Sequence, residues 1–110
     1  MGKILLFFVF TLPVLGDSYG ALLLNGNCTT CHHFTKNISA PSLQTIKQRY
    51  IEVFPEKEVF ISYMSTWVLK PKKETSIMAD MIEKYELMPE LGYDRDTLEK
   101  ISAYIYENDF

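Results

Sequence analysis

The chain holds only two cysteines, and a histidine directly follows the second: Cys28-Thr29-Thr30-Cys31-His32. No other stretch limits the possible folds so tightly. Two thiols at this spacing reach the two vinyl groups along one edge of a porphyrin. The next residue then projects an imidazole toward its iron. C-x-x-C-H therefore reads as the covalent attachment site of a c-type haem, bound once, through Cys28 and Cys31. A chain carrying so large a flat group must build its core around it. Three other uses of the pair compete. A thioredoxin-type dithiol expects a βαβ setting. Zinc wants four ligands, and only the adjacent His33 is left to help. The plainest alternative is a structural disulfide in an exported chain.

Export is what the N-terminus suggests. Residues 1–16 have the form of a secretory signal, with Lys3 as the positive start, an apolar stretch from Ile4 to Leu12, and Pro13 breaking it. Val14 and Gly16 suit cleavage after Gly16, and Ser18 and Gly20 offer a later site after Gly20. The apolar run is too short to span a hydrocarbon core of roughly 30 Å. The expected product is residues 17–110, without stable membrane insertion, in an oxidising compartment such as a bacterial periplasm.

At 110 residues the chain makes one small domain with a modest core, so a bound cofactor is a welcome staple. Seven Tyr and seven Phe are enough to line a pocket for a large flat ligand. The net charge of −3 falls further without Lys3, which argues against nucleic acid as a partner.

The apolar spacing predicts an all-α domain of four to five short helices. Residues 18–27 form the first, ending at the motif. Pro41-Ser42 opens a second to about Tyr50, with Leu43 and Ile46 one turn apart. Pro55 suits the first position of a third. Behind it Val59, Phe60, Tyr63, Met64, Trp67 and Val68 make a broad inward stripe. Residues 74–86 place Ile77, Met78, Met81, Ile82 and Tyr85 on one face. Leu87 to Tyr93, with Pro89 and Gly92, reads as a loop. Asp94 caps a last helix to about Glu107, whose stripe is Leu98, Ile101 and Ile105, with Tyr104 beside it.

Iron in a haem takes two axial ligands, and His32 supplies one. His33 is too close in sequence to reach the opposite face. A Met thioether is the other common choice, and it raises the reduction potential. Met64, Met78 and Met81 lie on helical stripes and read as core. Met88 stands outside the periodic pattern, in a loop stiffened by Pro89, and is the expected second ligand.

With these residues in view the chain resembles the class I monohaem cytochromes c. Gly20, Leu24 and Cys28 are spaced like that family's first helix leading into its motif. Ala40-Pro41-Ser42-Leu43 is similar to the segment after it, Met88-Pro89-Glu90-Leu91 to the distal ligand loop, and Leu98, Ile101, Tyr104 and Ile105 to the last helix. The resemblance implies helices wrapped around one covalent haem with an edge exposed. It implies that the Pro41 carbonyl receives the N–H of the His32 imidazole and that Trp67 donates to a haem propionate. It implies that the last helix crosses the first near Gly20. The activity implied is single-electron transfer rather than enzymatic turnover, by a monomer that meets redox donors and acceptors briefly. Lys70, Lys72 and Lys73 form one basic cluster, which reads first as a solvated loop and second as a patch for such docking. An electron-accepting subunit of an exported dehydrogenase fits the same residues.

Overall fold

Two side chains decide where two of the helices begin. Ser42 Oγ accepts the backbone N–H of Thr45 at 3.0 Å, and Asp94 Oδ2 accepts that of Thr97 at 3.1 Å. Each satisfies a donor that the first helical turn leaves without an intrahelical partner. In the computed structural model, which describes residues 15–110 and side chains from Tyr19 onward, these caps open α2 (Leu43–Val53) and α5 (Arg95–Glu107). With α1 (Leu15–Asn27), α3 (Lys57–Leu69) and α4 (Ala79–Tyr85) they make an all-helical domain, and no strand occurs among the described residues. The expected signal segment lies outside the described residues except for its last two positions. Among the described residues no helix is long and apolar enough to cross a membrane.

The last helix is the hub. It packs against α3 and α1, and more lightly against α2. Leu98, Ile101 and Ile105, the expected stripe, are all buried. The crossing with α1 falls at Gly20, where a Cβ would stand 2.9 Å from the Cβ of Tyr104. Only glycine lets the two backbones come so close there. Leu24 and Leu43 join Phe60, Met64, Ile101 and Ile105 in one core. Phe60, fully buried, meets Tyr50 and Tyr106 edge to face, with centroids 5.7 and 5.1 Å away. Such pairs add about 0.5–1.5 kcal/mol each beyond the area they bury.

Three expectations need correction. Pro55 does not occupy the first turn of α3; the helix starts at Lys57 with Glu56 as its cap residue, and the Pro55 carbonyl accepts the Tyr106 hydroxyl at 2.8 Å. Val59 is exposed rather than inward. A stripe of paired apolar positions is wider than the face α3 can bury, and Val59 falls beyond its edge. The helix expected over 74–86 is split into a single 3-10 turn at Lys73–Thr75 and α4. Ser76 is the cause: its backbone is extended, and its hydroxyl accepts the Met78 N–H at 2.9 Å. That local bond competes with helix continuation.

Candidate functional site

The cysteine pair sits where α1 runs out. Backbone bonds from Cys28 to Leu24 O (2.9 Å) and from His32 to Cys28 O (2.9 Å) carry the helical path through the motif. One more turn of helix thus sets Cys28, Cys31 and His32 around a single side of the chain. Beyond it the segment 33–42 folds back. Leu43 N–H donates to His33 O at 2.8 Å and Gln44 N–H to Phe34 O at 3.0 Å, closing the loop at its base. His33, expected as a plain surface residue, is exposed but has a structural task. Its Nδ1 accepts the backbone N–H groups of Thr35 and Lys36, each at 3.1 Å.

The loop delivers Pro41 to His32. His32 Nδ1 lies 2.8 Å from the Pro41 carbonyl oxygen. A carbonyl oxygen can only accept, so Nδ1 carries a proton, and the neutral ring then has its lone pair on Nε2. The imidazole is thereby held in one tautomer and one orientation.

Beside it lies a cavity of about 330 Å³ between α2, α3, α4, α5 and the loops before α2 and α5. This is within the usual range of roughly 300–1,000 Å³ for a small-molecule site. All six residues singled out from the sequence line it: Cys28, Cys31, His32, Pro41, Trp67 and Met88. They come from four separate parts of the chain. The rest of the wall is largely apolar, with Leu43, Ile46, Val68, Ile82, Leu98 and Ile101 contributing. Met64, Met78 and Met81 line it too, so all four methionines beyond the expected signal reach one cavity. Met64 and Met78 are buried on helical or helix-capping positions. Met88 alone sits in the loop between α4 and α5, half-buried.

No family model matches the chain, and neither a curated protein nor a solved structure does. Cys28 and Cys31 are free thiols, the first half-buried and the second exposed. Burial, with Cys31 adding, pushes the Cys28 thiol up to about 11. Such a thiol carries almost no thiolate at neutral pH, the reverse of what a nucleophilic dithiol needs. No group of three or more His, Cys, Asp or Glu side chains is placed to hold a metal ion among the described residues. What the cavity offers is one imidazole lone pair, thioether sulfurs and two thiols.

Trp67 differs from its expected role. Its indole N–H donates to the Lys72 carbonyl at 2.9 Å, so it is committed to the protein while the ring faces the cavity. Among the described residues a buried polar group without a partner is one that no signal in the sequence marks. Tyr50 is 5% exposed and lines the cavity, yet its hydroxyl makes no hydrogen bond among the described residues. Burial, with Tyr63 adding, raises its pKa, so the phenol stays protonated and able to donate. A buried hydroxyl without a partner costs about 1–3 kcal/mol, which a polar atom of a ligand would offset. Tyr50 continues the Leu43–Ile46 stripe, and periodicity alone marks it as ordinary core.

Proposed function

We propose that this chain is a c-type cytochrome that carries one haem and passes single electrons between redox partners. One observation carries the reading. Two thiols, an imidazole locked with Nδ1 protonated, and a loop methionine all border one largely apolar cavity. The residues fit the group on a second count, because Tyr50 leaves a buried donor unsatisfied in that wall.

Cys28 and Cys31 hold the haem. Their sulfurs would hold it as two thioethers, one at each of its two vinyl positions. His32 would offer Nε2 to the iron, because the Pro41 carbonyl holds the proton on Nδ1 and fixes the ring's orientation. Met88 offers its thioether from the loop. Tyr50 donates to a polar atom of the group. Leu43, Ile46, Val68 and Leu98 keep water out, which with His/Met ligation favours a high potential. When bound, the haem supplies the one-electron couple that no side chain here provides. An oxidising compartment and weak, short-lived partners belong to the same proposal.

The test is an absorption spectrum of the full chain matured in a periplasm that has haem-attachment machinery. Acid–organic extraction should leave a low-spin c-type spectrum intact. Its weak red-region band of sulfur–iron ligation should vanish in Met88→Ala and persist in Met78→Ala. Absence of covalent haem would sink the proposal. Haem that is present but high-spin would point to an open sixth position and ligand-binding chemistry. A band lost in Met78→Ala and kept in Met88→Ala would move the second ligand to the head of α4.

A further inference from the structure

The loop that carries Pro41 contains a second contact on the same peptide group. Asn37 Oδ1 accepts the backbone N–H of Ser42 at 2.7 Å. The Ser42 N–H and the Pro41 C=O are the two ends of one peptide unit, which is planar. In the trans form found throughout the described residues they point in opposite directions. Asn37 therefore grips one end of a rigid plate whose other end receives His32 Nδ1–H at 2.8 Å. Rotating the plate to release either bond misdirects the other.

We infer that Asn37 is the positioning residue for the proximal imidazole, acting on His32 through the Pro41–Ser42 peptide. The inference rests on the proposed role of His32 but on separate atoms. Ser42 is fully buried, so water does not readily replace Asn37 as acceptor for its N–H. Asn37 is itself steadied, because the Thr45 hydroxyl lies 3.3 Å from the same Oδ1. The Thr45 N–H is in turn held by Ser42 Oγ at 3.0 Å. The asparagine oxygen is thus pinned from the first turn of α2. A chain of bonds of this kind polarises along its length. An acceptor on the Ser42 N–H makes the Pro41 oxygen a stronger acceptor, and its hold on the imidazole N–H firmer. The Asn37 amide nitrogen makes no bond among the described residues, so aspartate keeps every contact that matters.

The experiment follows the Nδ1–H of His32 by nitrogen-15 NMR in the reduced, haem-loaded full chain, together with the reduction potential. Asn37→Ala should speed solvent exchange of that proton by about tenfold or more, the equivalent of one lost buried hydrogen bond. It should also raise the potential. Asn37→Asp should keep the proton protected and move its resonance downfield, as a carboxylate strengthens the chain of bonds. A merely structural role lowers the melting temperature and leaves the proton and the potential where they were; that result overturns the inference. Should Asn37→Ala fail to fold, an unmoved resonance in Asn37→Asp overturns it equally. Should the wild-type chain take up no haem, the cytochrome reading falls, and the same proton measured in the unloaded chain still decides whether Asn37 holds it.

Discussion

The two loops that border the cavity are built on opposite plans. The proximal loop, 33–42, is knit from within and without. His33, Asn37 and Ser42 accept or donate inside it, Leu43 and Gln44 close its base, and Phe34 stacks on Phe110 with ring centroids 5.9 Å apart and planes 14° from parallel. Gln44 and Lys47, on α2, hold the backbone carbonyls of Phe110 and Asn108 and so keep that stacking partner in place. The distal loop has none of this. Residues 87–93 make no hydrogen bond, ion pair or ring contact among the described residues. It is entered through Glu86 at φ 75° and ψ 167°, a region that is almost exclusively glycine's, and it contains Gly92 at φ 80°. One wall is thus prearranged and the other depends on what it closes over. If His32 and Met88 are the two iron ligands, the chain fixes the first by itself, and iron completes the hold on the second.

Amide hydrogen exchange should show the largest contrast. The Leu43 and Gln44 amides should exchange several orders of magnitude more slowly than those of Leu87, Leu91 and Gly92, which have no acceptor. Equal protection in the unloaded chain would end the comparison. Next in size is Ser42→Ala, which removes the cap of α2 at a fully buried position. It should lower unfolding stability by about 1–2 kcal/mol in a urea titration. Opposite in sign, Glu86→Gly should raise stability by about 1 kcal/mol, because glycine relieves the backbone strain at the start of the distal loop. A loss instead would mean that the Glu86 side chain holds the loop. Glu90→Ala, on the bare loop, should change stability by less than about 0.5 kcal/mol.

The smallest effect concerns the link between the two sides. Arg49 on α2 grips both oxygens of Asp80 on α4, at 3.1 and 2.7 Å. This contact holds the Asp80 carboxyl below its ordinary value. A depressed carboxyl stabilises the fold above its unfolded pKa, and that contribution is lost as pH falls through the lowered, folded one. Arg49→Gln should therefore flatten the acid side of the stability curve slightly, since the pair is exposed and screened. Superimposable acid titrations of the two proteins would show that α4 is held without the bridge.

The helices were legible where their signals are local. Capping by Ser42 and Asp94 needs only residues three apart, and the stripe of α5 repeats at helical spacing. The loop around Met88 was legible for the same reason, from Pro89 and Gly92, whereas the close crossing at Gly20 followed only from the family resemblance, since no local run shows which helix will meet it. Ser76 broke an otherwise regular pattern because a side-chain hydroxyl offered the backbone a rival bond, and residue counting does not detect that choice. Trp67 was assigned to a ligand by likeness, but its N–H met a carbonyl five residues on, a contact that depends on how the chain turns at Pro71.

By itself, then, the sequence determined that this chain is helical, where α2 and α5 begin, and that two thiols, an imidazole and a loop methionine lie along it. Those properties follow from spacing along one strand of covalent chain. Only the tertiary structure decided that these side chains share one cavity, that the Tyr50 hydroxyl there has no partner among the described residues, and that Asn37 and His32 meet at the two ends of a single peptide group. Those facts depend on the direction of a bond or the emptiness of a space. The space is set by the packing of α2, α3 and α5 with the loops around them, and the direction of the Pro41–Ser42 peptide by the folding back of the loop 33–42, neither of which an apolar pattern records.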